Sequence, residues 1–363
     1  MIKNKALLSK KEFVKSTSLI AMPNIELDPE EADRFIDYVI DESFWNKNAR
    51  IEKMTRNEKN IRYMGYDSSK RFLKPADTFA SSDYVKTFSE GKITLSSKKL
   101  RGCVVIYDDD LEDNVEGQAF ADHLMKVIAK RVANELDEVY YVSNTTSTGF
   151  EATDARHMFN GFRYNLLNFS PTSGTIPGAA AELDASSTGA GADFVNAGKI
   201  AERNATTGVW EFKFAKMLAS LPSKYKITGL TNLRYFCNDI VVSDYIEALS
   251  DRGTALGDAA ILGKAPISFG TIPIVNIPLL PTTYESGSAG TEIYAATQDD
   301  TYKYTDCILT NNTNFIIGLH RSLKMESQRV PADEATYIYY SIRADLAIEN
   351  PEAAVILHNL THG

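Results

Sequence analysis

Apolar residues recur at helical spacing over one long stretch of the chain and at strand spacing over much of the rest. In "NVEGQAFADHLMKVIAKRVANELDEVYYVS" (114–143), Phe120, Leu124, Val127, Ile128, Val132, Leu136, Val139 and Tyr140 follow the i, i+4, i+7, i+8 rhythm. The spacing predicts a helix of roughly 40 Å, and the acids of "YDDDLEDN" just before it favour a helix start through capping and the dipole. A shorter helix is expected in "DPEEADRFIDYVIDESFW", with Asp28 as cap, Pro29 at the first position and Phe35, Val39 and Ile40 on its apolar face. "EFKFAKMLASLPSKYK" carries Phe214, Met217, Leu218 and Leu221 at helical spacing before Pro222 stops it. "LRYFCNDIVVSDYIEALSD" reads as a buried strand followed by a helix capped near Ser243. "PISFGTIPIVNIPLLP" is β-branched and punctuated by proline, which suits an edge strand. The last sixty residues alternate in "DCILTNNTNFIIGLHRSLKMESQRV", "ATYIYYSIRADLAIENP" and "AAVILHNLT". They predict long strands of an antiparallel sheet on which the long helix can pack. The class expected is α+β.

Two stretches break this pattern. From about 48 to 101, strand-like pieces ("ARIEKMT", "KNIRYMGY", "GKITLSSKKLRGCVVIY") alternate with polar turns, and large apolar residues are sparse between 65 and 92. A thin hairpin of this kind has little core and needs another surface to lie on. Residues 170–208 are rich in Gly, Ala, Ser and Thr and read as a surface insertion or loop rather than core.

Charge sharpens the picture of the hairpin. Residues 47–101 hold fourteen Lys/Arg against six Asp/Glu, a net of +8, which leaves −17 for the remainder of a chain whose total is −9. A basic hairpin on an acidic body suits one copy lying across its neighbour, although a solvated hairpin within one monomer would have the same composition. The acidic total argues against a general nucleic-acid binder with a basic surface. Cys103, Cys237 and Cys307 are far apart and odd in number, which fits reduced thiols. No apolar run approaches the ~20 residues that span a bilayer, and the basic N-terminus lacks a signal-peptide core. The expectation is a soluble chain made in a cytoplasm.

Candidate chemistry is sparse. "GDAAILGKAP" (257–266) approaches a nucleotide-binding P-loop, yet five residues separate Gly257 from Gly263 where the motif needs four. Ala265 stands where the magnesium-binding hydroxyl belongs, and Pro266 leads into a strand where phosphate binding needs a helix. There is no G-x-S-x-G elbow. The five histidines (His123, His157, His320, His358, His362) show no zinc-like pairing, and the acids of "YDDDLEDN" lack the glycine and distal glutamate of a calcium loop. The reading is no catalytic centre, no cofactor and no metal.

The order of the parts is itself informative. "LSSKKLRGCVVIYDDDLEDN" (95–114), "RVANELDEVYYVSN" (131–144), "ALSDRGTALGDAAILGKAPISFGTIPIV" (248–275), "LTNNTNFIIGLHRSLKMES" (309–327) and "IRADLAIENPEAAVILHN" (342–359) come in that sequence. As an ordered set they resemble the major capsid proteins of tailed bacteriophages with the Hong Kong 97-type fold. The resemblance covers nearly the whole chain, and 165–208 is its least similar part. It implies an N-terminal arm at 1–46 and an extended hairpin, the E-loop, at 47–101. A peripheral domain would follow at 102–149 and 306–351, containing a spine helix at about 114–143. An axial domain would take 150–305 and 352–363, with an insertion at about 165–208.

The function implied is a non-enzymatic shell subunit that forms hexamers and pentamers. These would close an icosahedral or prolate shell around double-stranded DNA, without sequence-specific binding to it. Implied partners are further copies of itself, a portal protein, a separate scaffold protein and decoration proteins. No membrane is involved, and the location is the virion capsid, assembled in the host bacterial cytoplasm. Only some 46 residues precede the hairpin, so a separate scaffold or none is expected, not a fused one. Candidate inter-subunit contacts are Lys59, Arg62, Lys70, Arg71, Lys74, Arg252 and Lys264. Lysines near the hairpin tip could also enter covalent cross-links, but no partner asparagine is identified. Two alternatives stay open: an encapsulin-like nanocompartment shell, and a cytosolic enzyme binding a nucleotide through Lys264.

Overall fold

The structure, a computed structural model, describes residues 43–66, 75, 88–107, 120–146, 154–168, 180–185, 194, 198–203, 208, 210–226, 230–250, 267–277, 279–280, 304–320 and 324–361. In chain order the elements are α1 (Phe44–Asn48), β1 (Arg50–Met54), β2 (Glu58–Tyr66), β3 (Phe88–Ser96), β4 (Lys98–Tyr107) and α2 (Phe120–Val142). Next come α3 (Phe162–Leu167), β5 (Ala181–Asp184), β6 (Ala201–Arg203), β7 (Trp210–Phe212), α4 (Lys213–Ser220), α5 (Ser223–Lys226), β8 (Leu233–Cys237) and α6 (Asp239–Ser250). The chain ends with β9 (Ser268–Phe269), β10 (Ile272–Asn276), β11 (Tyr304–Asn311), β12 (Phe315–His320), β13 (Lys324–Val330), β14 (Ala335–Ile348) and β15 (Val355–Thr361).

The first sheet is built on β14. β4 pairs antiparallel along one edge of it, while β13 and then β12 pair along the other. β1 joins beyond β12 in parallel. The face of this sheet carrying Leu100, Val104, Ile338, Tyr340 and Ile342 packs on α2. From α2, Ile128, Val132, Leu136 and Val139 are buried there, as the helical spacing predicts. Val127, counted in that stripe from the sequence, is 53% exposed because its neighbour Ile128 takes the core-facing position.

The second sheet runs β5-β15-β11-β8-β10-β9. It is buried on both faces, and the period-two alternation assigns its side chains to two cores. Ile308, Phe236 and Ile356 enter the core shared with α2, whereas Cys307, Leu309, Tyr235, Val355 and Leu357 enter a second core under α4 and α6. The strands of the last sixty residues are therefore divided: β11 and β15 belong to this sheet and β12–β14 to the first.

Trp45 joins the two sheets. It is 1% exposed, and its ring centroid lies 5.0 Å from Phe315, 5.1 Å from Phe162, 6.1 Å from Phe236 and 6.2 Å from Tyr141. The short helix carrying it is capped by a side chain from α2. The Asp137 carboxylate accepts from Ser43 Oγ at 2.5 Å, Phe44 N at 2.7 Å and Trp45 N at 3.2 Å. Burial pushes the Asp137 carboxyl above its usual range, and these three donors pull against that rise. A second buried link ties α3 to β11. Arg163 Nε donates to Asp306 at 2.6 Å and the Tyr141 hydroxyl donates to the same carboxylate at 2.9 Å. At the start of α3, a Cβ on Gly161 would sit 2.5 Å from Tyr141 O and 2.8 Å from Ser143 N, so only glycine lets the two backbones approach this closely.

Two local expectations change. The stretch 170–208 is not all surface: Leu183, Phe194, Ile200 and Ala201 are buried in the second core, and β5 extends the sheet beside β15. A handful of apolar residues among many small ones is enough to anchor it. Helix α6 starts at Asp239, a turn before Ser243, because Asn238 Oδ1 accepts from Ile240 N, while Ser243 Oγ donates back to Asp239 O. Of the helix expected over 28–45, residues 28–42 lie outside the described residues, and at its end Ser43 is extended and caps the separate helix α1; the start of the long helix at 114 also lies outside them.

Trp45→Ala should cost about 3–5 kcal/mol, read as a lower urea midpoint, because it leaves a cavity lined by both sheets. Gly161→Ala should cost about 1–3 kcal/mol in the same measurement, since the clash is with backbone that cannot rotate away.

Candidate functional site

The hairpin β2–β3 pairs from Glu58↔Ser96 to Tyr66↔Phe88. Its base is seated on the first sheet: Met54, Leu95, Ile316 and Ala347 form a small buried cluster, with Ile61 and Ile93 half-buried against it. Gly318 makes room, since a Cβ there would meet Met54 Sδ at 2.8 Å. Asp345 of β14 accepts a hydrogen bond from Ser96 N, which fixes the point where β3 passes into β4 with a single break at Ser97. Burial raises the Asp345 carboxyl above its usual range, against the pull of the Ser96 and Leu346 amides and Lys98.

The cations of this region fall into two groups. On one side Lys59 Nζ lies 2.5 Å from Glu52, Arg50 Nε lies 2.9 Å from the same carboxylate, and Arg50 also reaches Glu349 at 3.2 Å. Hydrogen bonds from Lys59 and then Arg50 hold the Glu52 carboxyl below its usual range. Lys59, a candidate contact from the sequence, is thus engaged within its own chain. On the other side Arg62 stands directly opposite Lys92 across the hairpin, both exposed. Neither makes an ion pair among the described residues. Like charges facing each other across a strand pair destabilise it by some tenths of a kcal/mol, about 0.2–1. Lys53, Arg56, Lys98, Lys99 and Arg101 are exposed as well. The other sequence candidates, Lys70, Arg71, Lys74, Arg252 and Lys264, lie outside the described residues, as does the whole of 257–266.

Lys92 escaped the sequence reading because its role depends on register: only the pairing with β2 places it beside Arg62. The alternation "EKNIRY" against "GKITLS" carries that signal once the turn between them is known.

Elsewhere the described residues offer little for catalysis. A cavity of about 430 Å³ lies between β6–β7 and α6, lined by Lys199, Glu202, Arg203, Trp210, Asp244 and Glu247 among others. Two cations and three acids line it, with Lys199 3.6 Å from Asp244. Among the described residues no group of three or more His, Cys, Asp or Glu is placed to hold a metal, and no helix is long and apolar enough to cross a membrane. Cys237 and Cys307 are buried opposite each other on β8 and β11, and burial raises the Cys307 thiol well above its usual range, away from nucleophilic use.

Comparison with known proteins bears on this arrangement. No protein-family model matches the chain. Over 355 residues, covering 97% of both chains, it is 23% identical to a Bacillus subtilis (strain 168) protein named "Putative prophage capsid protein YqbE". A chain of the satellite phage P4 procapsid superposes with a TM-score of 0.61 at 13% identity, covering 98% of this chain and 99% of that one. The chain has the tailed-phage capsid fold. The capsid of an empty GTA particle (TM-score 0.52, 13% identity, 87% of this chain and 89% of the other) shares it. So does the mature capsid of bacteriophage PhiM1 (TM-score 0.51, 9% identity, 87% and 86%). The hairpin, whose Arg62 and Lys92 make no ion pair among the described residues, is the candidate assembly site.

Asp345 gives the hairpin base a pH signature. Its folded-state carboxyl titrates above that of the unfolded chain, near 4, so its contribution to stability is fully present below that pH. It is lost as pH rises through the folded-state value. The difference in unfolding free energy between wild type and Asp345→Asn should therefore shift toward the Asn variant as pH rises from about 4. A difference independent of pH would show that the carboxyl is not perturbed.

Proposed function

We propose that this chain is the major capsid protein of a tailed phage or prophage. It assembles through itself into hexamers and pentamers that close a shell around packaged double-stranded DNA, without enzymatic activity. The observation that carries the reading is the full-length correspondence with capsid chains, 97% of both chains for the prophage relative and 98% and 99% for the P4 procapsid. The hairpin supports it: Arg62 and Lys92 are exposed and make no ion pair among the described residues, as a contact to a neighbouring copy requires. The acidic remainder of the chain keeps the body from binding phosphate backbones indiscriminately.

In this reading residues 1–46 form an arm, 47–101 reach across the adjacent copy and α2 is the spine of a peripheral domain. The strand pairing favours placing 304–311 with the axial sheet, so that the peripheral segment begins at β12. The axial part then comprises the second sheet with α4 and α6, facing other copies around the symmetry axes. Portal, scaffold and decoration proteins are its partners, and the site of assembly is the host cytoplasm before release in the virion.

Expression of the full chain, alone and with its genomic neighbours, should give closed shells or ring-shaped capsomers by negative-stain electron microscopy. Uniform monomers under every condition would overturn the proposal. Because the hairpin contacts are electrostatic, raising salt from about 0.1 M to about 1 M, which shortens the screening length from roughly 10 Å to 3 Å, should shift assembled material toward free subunits in sedimentation velocity.

A further inference from the structure

Two cysteines face each other at one end of a strand pair in the middle of the second sheet. β8 and β11 run antiparallel from Leu233↔Asn311 to Cys237↔Cys307. Cys237 and Cys307 are both 0% exposed, in the core under α4 and α6. In an antiparallel pair, facing residues either exchange backbone hydrogen bonds or turn them outward, and the second kind brings the Cα atoms to about 4.5 Å. Cys237 O accepts from Ile277 N at 2.8 Å, one residue past β10, which flanks β8 on the side away from β11. A strand residue sends its N–H and C=O to the same side, so Cys237 is turned toward β10 and its pairing with Cys307 is of the close kind. Disulfides need Cα atoms roughly 4.4–6.8 Å apart, and both side chains leave the same face of the sheet.

We propose that Cys237 and Cys307 are a latent cross-link, reduced while the chain folds and closed as an intramolecular disulfide in oxidising surroundings. Two S–H bonds give way to one S–S bond, and the two electrons and two protons go to dioxygen, which becomes hydrogen peroxide. Burial raises the Cys307 thiol well above its usual range, so little thiolate is available while the core stays closed. The way in is the strand end. Cys307↔Cys237 is the last pair of its ladder, and the register of β11 against β15 shifts between Thr305 and Cys307, so fraying from that end reaches the thiols first. The bond closes a loop of roughly seventy residues that carries α6, β9 and β10, and it pins that unit to β11. In the shell proposed above, the bond would follow release from the reducing cytoplasm. That timing rests on the shell reading, whereas the bond rests on the fold alone.

Full-length Cys103→Ser lacks the exposed third thiol and is the protein to test. After treatment with diamide, a diazene that takes up the two hydrogens as a hydrazine, it is denatured without reductant and tagged with a polyethylene-glycol maleimide. Reduced protein should carry two tags and the diamide-treated monomer none, with a mass lower by two hydrogens. Dithiothreitol should restore both tags. The oxidised protein should unfold at a higher urea concentration than the reduced one. Cys103→Ser/Cys237→Ala, which keeps one tag throughout, should show no such rise; the tag count in Cys103→Ser decides the matter where that variant does not fold. Two tags remaining after diamide at urea concentrations just below the midpoint would overturn the proposal. So would tags lost only in covalent dimers, or only above the midpoint. Closed shells built from a protein that keeps both tags would sink the bond and spare the shell reading; a bond in a chain that never leaves the monomer would do the reverse.

Discussion

The arrangement of this chain depends on a carboxylate taken out of water. Asp137 gives up hydration to accept from Ser43, Phe44 and Trp45, and by doing so starts a helix of only five residues. A helix that short does not hold itself. It exists because α2 supplies its cap and because Trp45 fills the space among Tyr141, Phe162, Phe236 and Phe315. Two residues after α1 the chain enters β1, aligned with β12, and from there it leaves as the hairpin. Where the hairpin points is therefore set by a capping interaction with a residue some ninety positions later. The buried Arg163–Asp306 pair does comparable work on the other side of the same core, at the junction of α3 with the second sheet.

Much of the regular structure was legible in the residues. The long apolar stripe of α2, the stop at Pro222 and the alternating strands near the C-terminus are local patterns, and local patterns survive folding when packing agrees with them. What the sequence could not convey was partnership. "ARIEKMT" reads as one more hairpin strand, yet β1 pairs in parallel with a strand more than 260 residues away. β11 and β12 read as neighbours in one sheet, but the short turn at Asn312–Asn314 carries the chain from the second sheet to the first. The glycine- and serine-rich stretch looked like pure loop because Leu183, Phe194 and Ile200 are too few to make a periodicity.

The same limit applies to the candidate site. The sequence located a basic hairpin and named Arg62 and Lys59 within it, but could not say that Lys59 is bonded to Glu52 while Arg62 makes no ion pair among the described residues. That distinction comes from Glu52, whose place beside Lys59 follows from how β1 lies against the hairpin base. Surface ion pairs of this kind add little stability, but they decide which charges are left for a partner. Composition gives the sum of charge; pairing decides how much of it is spent at home.

The single break at Ser97 has a mechanical consequence. β3 passes into β4 through the one residue Ser97, and β4 is joined to β14 by a ten-residue antiparallel ladder whose bonds lie across the strand direction. A pull passed through Ser97 along the direction of β4 loads every rung of the ladder at once, in shear, instead of opening them one after another from an end. In the shell proposed above, internal pressure acting along β4 would strain such a joint in its stiffest direction. The hairpin is then less a flexible strap than a tie-rod, anchored along the whole length of the strand behind it.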